Sequence, residues 1–164
     1  MVALLRYEGP ARALVARIKY RNQRQAVAWL ADGLAARLPV GRFDVVTWAP
    51  TTVEHRRRRG FDHGEVLARA VARRLRVPAQ PLLDRRPGPA QTGRPAQDRR
   101  AHPPVFTARR PLPDGIRLLL VDDVVTTGAT LRAAVSTLIC RSDVRVTVAV
   151  AARTPSRSGS TLTG

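Results

Sequence analysis

The chain has 164 residues, 44% of them hydrophobic, which is enough apolar matter for one core and excludes both a large multidomain machine and wholesale disorder. Lys plus Arg total 29 against 12 Asp plus Glu, a formal net charge of +17, which favours anionic partners. Lys19 is the only lysine and the arginines are spread along the chain, so GC-rich coding bias accounts for part of that charge. Cys140 stands alone, which excludes an intrachain disulfide and a cysteine-rich zinc site and points to a reducing, cytoplasmic setting; as a small residue it is expected to be buried. No apolar run has the length of a membrane span, and the start lacks the pattern of a secretory signal.

Pro10 suits the first position of a helix, and Leu14, Val15 and Ile18 recur at helical spacing, so residues 10–19 read as an amphipathic helix that breaks near Asn22. From Gln23 the pattern resumes through Val27, Leu30, Leu34 and Leu38 and stops at Pro39 and Gly41. Residues 1–41 thus form a helical segment packing on a core that spans 42–153. Residues 43–49 have strand composition. A loop with arginines at 56–59 follows. Asp62 and Glu65 then stand at capping-box spacing before a helix over about residues 63–76.

Residues 84–104 hold five prolines and two glycines with almost no large apolar side chain, the composition of a flexible loop. Residues 116–121 read as a strand. Leu131, Val135 and Leu138 restore helical spacing, and valines at 144, 146, 148 and 150 alternate as a last strand. The ending, from Arg153 on and wholly over 154–164, is a loose tail by composition. The three histidines, His55, His63 and His102, lack metal-ligand spacing and read as surface residues, and the scattered aromatics read mostly as core. Strand and helix alternate in the manner of an α/β fold, a mainly parallel sheet flanked by helices, whose ligands gather at strand carboxyl ends.

The chemistry concentrates in Leu118 to Thr130, LLLVDDVVTTGAT. An apolar strand delivers Asp122 and Asp123 at its carboxyl end, and a Thr/Gly loop then opens a helix. Successive backbone N–H groups, hydroxyls and the helix dipole suit a phosphate, and two adjacent carboxylates suit the vicinal hydroxyls of a pentose. The same order of residues serves, without a ligand, as an ordinary strand, acidic turn and helix start.

This segment resembles the phosphoribosyl diphosphate (PRPP) motif of type I phosphoribosyltransferases. Upstream, Tyr7-Glu8-Gly9-Pro10, Ile18-Lys19-Tyr20, Arg57 to Phe61, Gln91 and Arg99, with Phe106 beyond, look like the competence protein F (ComF) branch. The resemblance implies a type I phosphoribosyltransferase-like fold with a long flexible loop, in which Asp122 and Asp123 are the catalytic acids on the diol and Thr126, Thr127, Gly128, Ala129 and Thr130 hold the 5-phosphate. It further implies that Pro50, Thr51 and Thr52, with Arg57 and Arg59, meet the pyrophosphate, that Gln91 and Arg99 belong to the loop over PRPP, and that Mg²⁺ accompanies the ligand.

Two departures stand out. The four-cysteine zinc ribbon common in that branch is missing, so no zinc ligands are predicted, and Asp62-His63 occupies the place where Asn-Gln is usual. The implied activity is transfer of phosphoribosyl from PRPP to a nitrogen acceptor in nucleotide metabolism, with PRPP or a nucleoside 5-phosphate as ligand and a homodimer as one candidate assembly. The alternative is a non-catalytic PRPP- or nucleotide-binding accessory protein of DNA uptake that contacts single-stranded DNA or a helicase of the competence machinery.

Overall fold

The computed structural model describes residues 1–9, 13, 23–52, 57, 61–86, 104–140 and 143–155. The helix expected over 10–19, the histidines His55 and His102, and the tail beyond residue 155 lie outside the described residues. Six strands and three helices are formed there: β1 (Val2–Arg6), α1 (Gln23–Ala35), β2 (Val45–Trp48), α2 (His63–Leu75), β3 (Leu83–Arg85), β4 (Phe106–Ala108), β5 (Arg117–Val125), α3 (Ala129–Ile139) and β6 (Arg145–Arg153).

Four strands make one parallel sheet in the order β1-β6-β5-β2. The α/β architecture expected from the sequence is therefore present. Parallel strands covered on both faces read as unbroken apolar runs, and β5 shows why. Leu119 and Val121 point to the face covered by α1 and α2, where they meet Leu30, Leu34, Leu67 and Val71. Leu118 and Leu120 point the other way, into a cluster with Leu83, Phe106, Leu131 and Leu138 from β3, β4 and α3. All four β5 side chains are fully buried, each contributing about 1.5–3 kcal/mol of apolar burial. α1 is held to α2 by Arg74, whose Nε donates to Asp32 Oδ1 at 2.6 Å and whose Nη2 donates to the Ala28 carbonyl at 3.2 Å.

The structure differs from the sequence reading at several points. Residues 2–6 are an edge strand of the sheet, paired with β6 from Val2↔Ala149 to Arg6↔Arg153, and not part of a helical segment outside it. The helix from Gln23 ends at Ala35, and Leu38 closes the turn after it as a buried residue. β6 runs to Arg153, and the Thr154 N–H donates to the Val125 carbonyl at 2.9 Å, so the chain stays ordered past the point where its composition turns loose. Cys140 is exposed because it sits at the C-cap of α3, beyond the face that packs on the sheet. Trp29 is 53% exposed although Val27 and Leu30 beside it are buried, because it faces away from the sheet.

The antiparallel pair β3–β4 had no signal in the sequence. Leu83 pairs with Ala108 and Arg85 with Phe106, closing the two ends of the Pro/Gly segment against each other. Residues 87–103 of that segment lie outside the described residues.

Candidate active site

The Asp pair sits within β5, not beyond it. Asp122 is in register with Val150 of β6, and the strand continues through Val124↔Ala152 and Val125↔Arg153. Because β6 is as long as β5, ladder pairing extends past the acids and turns them into strand residues with part-exposed side chains. Their carboxylates are oriented by their own backbone: the Asp123 N–H donates to Asp122 Oδ1 at 2.8 Å, and the Val124 N–H donates to Asp123 Oδ1 at 2.8 Å.

A cavity of about 210 Å³ opens over this pair. Its lining comes from five places: Asp122, Asp123 and Val124 of β5, Ala49, Pro50 and Thr51 after β2, Phe61 to Gly64 at the start of α2, Arg85 of β3, and Thr130 of α3. The loop after β2 and the acids of β5 lie toward the carboxyl ends of adjacent parallel strands, where α/β sheets place their ligands, and Arg85 is brought in from the antiparallel β3–β4 pair.

The N-terminus of α2 is built by Asp62, the expected cap. Its Oδ1 accepts the N–H of Gly64 at 3.0 Å and of Glu65 at 3.4 Å, and its Oδ2 accepts the Thr51 N–H at 2.7 Å. His63 is buried, not on the surface, with its ring edge-on to Phe61 at 4.9 Å between centroids. Gly64 lets α2 approach the acids: a Cβ there would lie 3.3 Å from Asp62 Oδ1 and 3.7 Å from Asp122 Oδ1.

Electrostatics follow from this crowding. Asp122 is held well above the ordinary carboxylate value by burial first and by the Asp123 charge second, and Asp62 pushes in the same direction. Like charges packed together in low dielectric favour a shared proton. The counter-charge is Arg85, half-buried, with its guanidinium 5.9 Å from the centre of the Phe106 ring. Burial lowers its proton affinity while Asp62 and Asp122 raise it.

Of the residues the sequence singled out, Asp122, Asp123, Pro50, Thr51 and Thr130 share this cavity. Thr126, Thr127 and Gly128 instead line a second cavity of about 500 Å³ on the other side of the loop, between α3 and the end of β6, with Arg132, Arg153 and Thr154. Gly128 is the N-cap of α3 at φ 74, a left-handed conformation that glycine adopts without strain, and Ala129 is the first helical residue. Thr52 is half-buried after β2, and Arg57 is exposed and lines neither cavity. Arg59, Gln91 and Arg99 lie outside the described residues. In the loop after β2 the Thr51 N–H donates to Asp62 Oδ2. Arg85 had no sequence signal because nothing marked β3 as a strand.

Among the described residues no group of three His, Cys, Asp or Glu could hold a metal ion, and no helix is long and apolar enough to cross a membrane.

Comparison with solved structures shows the fold again. A purine phosphoribosyltransferase from Pyrococcus horikoshii Ot3 is similar at 17% identity and TM-score 0.53, covering 80% of this chain and 84% of its own. Adenine phosphoribosyltransferase from Leishmania donovani is similar at 15% identity and TM-score 0.53, covering 99% of this chain and 90% of its own. A hypothetical protein from Neisseria gonorrhoeae, solved with bound ppGpp, is similar at 17% identity and TM-score 0.51, covering 77% of this chain and 66% of its own. No curated protein matches the sequence. The family model described as the phosphoribosyl transferase domain matches residues 62–161, a span that takes in Asp62, the acid pair and the Thr/Gly loop. The chain belongs to the phosphoribosyl transferase domain family.

Proposed function

We propose that the chain binds PRPP together with Mg²⁺ and transfers its phosphoribosyl group from pyrophosphate to a nitrogen acceptor, as a ComF-like phosphoribosyltransferase of nucleotide metabolism. The observation that supports this most is the meeting of the acid pair, the loop after β2, Arg85 and Thr130 around one cavity. In the transfer, the nitrogen lone pair forms a bond to ribose C1 while the C1–O bond to diphosphate breaks and pyrophosphate leaves with those electrons. Such chemistry asks for position and electrostatics more than for covalent help.

In this reading Asp122 and Asp123 take the 2- and 3-hydroxyls, and residues 126–130 hold the 5-phosphate with the N-terminal N–H groups of α3. Arg85 offers a guanidinium fork to an anionic oxygen. Adjacent carboxylates fit magnesium, which is usually held by one or two carboxylates plus substrate oxygens and not by a full protein cage; when bound, it supplies charge neutralisation at the leaving diphosphate. Arg85 of β3, at the start of the 84–104 segment, stands at the cavity, and β3 pairs with β4 at that segment's far end.

Incubation with Mg-PRPP and a panel of purine and pyrimidine bases, reading pyrophosphate release, tests the transfer. Release that depends on one base supports it, and PRPP binding without release from any base supports a binding module instead. The second reading, an accessory protein of DNA uptake, is favoured by the +17 charge. Where it acts through single-stranded DNA and not through a helicase partner, it requires DNA affinity that falls steeply with salt.

A further inference from the structure

A carboxylate 6% exposed, as Asp62 is, is costly unless its oxygens are satisfied. Asp62 satisfies them with more than a helix cap. Oδ1 serves Gly64 and Glu65, while Oδ2 reaches across to the Thr51 N–H at 2.7 Å, eleven residues earlier in the chain. An asparagine would cap the helix equally well with its single oxygen. It would then turn an NH₂ group toward the Thr51 N–H, donor against donor. The second oxygen is therefore needed for the loop, not for the helix.

The same small region brings a third element in. A Cβ on Gly64 would lie 3.3 Å from Asp62 Oδ1, 3.7 Å from Asp122 Oδ1 and 3.8 Å from the Ala49 carbonyl, so α2, β5 and the end of β2 converge on one bare Cα. Asp62 and Asp122 also act together on Arg85 across the cavity.

We propose that Asp62 is a positioning residue: through Oδ2 it clamps the loop after β2 against the start of α2, so that Pro50 and Thr51 stay aligned with Asp122 around a ligand carrying a diphosphate. The proposal rests on the PRPP reading of the cavity. It assigns the Thr51 N–H to holding the loop, leaving the loop's other groups to meet the ligand.

The test is Asp62→Asn, read three ways on the full chain: exchange of the Thr51 amide hydrogen by NMR, affinity for Mg-PRPP, and affinity for ribose 5-phosphate, which lacks the diphosphate. Loss of the clamp speeds Thr51 exchange and weakens PRPP about tenfold, with ribose 5-phosphate changed by less than about twofold. Electrostatics alone predicts the opposite sign, because removing a negative charge beside a diphosphate strengthens its binding. Equal or tighter PRPP binding in the variant overturns the proposal, and so does parallel loss of both ligands, which marks a purely structural role. If the wild-type chain binds no PRPP, the function reading fails by itself. The clamp is then decided by Thr51, whose exchange is unchanged in the variant if the clamp is wrong. Should the Asn variant fail to fold, Asp62→Ser keeps a capping oxygen, cannot serve both donors, and carries the same three readings.

Discussion

The backbone N–H of Asp123 donates to Asp122 Oδ1 at 2.8 Å, so the first acid of the pair is oriented by the peptide of the second. That hydrogen bond offsets only part of the cost of placing two carboxylates side by side. Asp122 remains far above the ordinary value of 3.8, by burial first and by the Asp123 charge next. Burial and like charge thus make the ionised form of Asp122 costly in the folded chain, and this has a measurable consequence.

Asp122→Asn is expected to melt at a higher temperature than the wild type at pH 7. Above the ordinary value of 3.8 the unfolded chain ionises Asp122 freely, whereas the folded chain must keep a proton or bury a charge, so Asp122 lowers stability there. Below about pH 4 both states hold the proton and the difference closes. The gain should fall within the range of single stabilising substitutions, about 0.5–2 kcal/mol. Thermal melts of both proteins from about pH 3 to about pH 8 check it; a variant that melts lower at pH 7 contradicts the assignment.

The opposite sign holds at Asp44. Arg117 donates to it from Nη2 at 2.6 Å, from Nε at 3.1 Å and from its backbone N–H at 2.8 Å, and side-chain hydrogen bonding to Arg117 draws the carboxyl down to about 2. The pair ties the start of β2 to the start of β5. A lowered carboxyl stabilises the fold above its unfolded value and loses that contribution as pH falls toward the folded one. Asp44→Asn should melt slightly below the wild type at neutral pH and converge with it near pH 2. A constant offset at all pH values would show that the charge plays no part.

Leu119→Ala should destabilise the fold by about 2–5 kcal/mol, because it opens a hole between β5 and α2 that neither element can close. Leu119 is fully buried among Val46, Leu67 and Val71. Urea unfolding measures the loss, and a change below about 1 kcal/mol would mean the two layers pack more loosely than described.

Gly128→Val is expected to impair ligand and fold together. At φ 74 a side chain is strained, and its Cβ would stand 3.1 Å from Arg132 Nη1. The backbone strain is about 1–2 kcal/mol. In the proposed function the added side chain also obstructs the approach of a phosphate to the loop, so PRPP affinity should fall at least about tenfold. A normal PRPP titration would remove Gly128 from the phosphate site.

Much of this was legible in the sequence, for identifiable reasons. Leu118 to Val121 read as a strand because a parallel strand buried on both faces has no polar side to hide, and Asp62 with Glu65 marked the start of α2 because a cap is a local event. The acid pair was found by its adjacency. What stayed hidden depends on contacts between distant segments. β1 shows no pattern of its own and becomes a strand because β6 offers a free edge. Arg85 looked like one more arginine in a Pro/Gly segment until pairing with Phe106 fixed it in β3 and turned it to the cavity. His63 read as a surface residue because burial at a helix start is decided by the loop packed over it.

The measurement that tests the central claim most directly is calorimetric titration of the wild-type chain and of Asp122→Asn/Asp123→Asn with PRPP, with and without magnesium. The account predicts saturable, magnesium-dependent binding by the wild type that persists at moderate salt, and loss of that binding in a double variant that remains folded. Equal affinity in both proteins, or no binding by either, would contradict the assignment of the acid pair to the phosphoribosyl group.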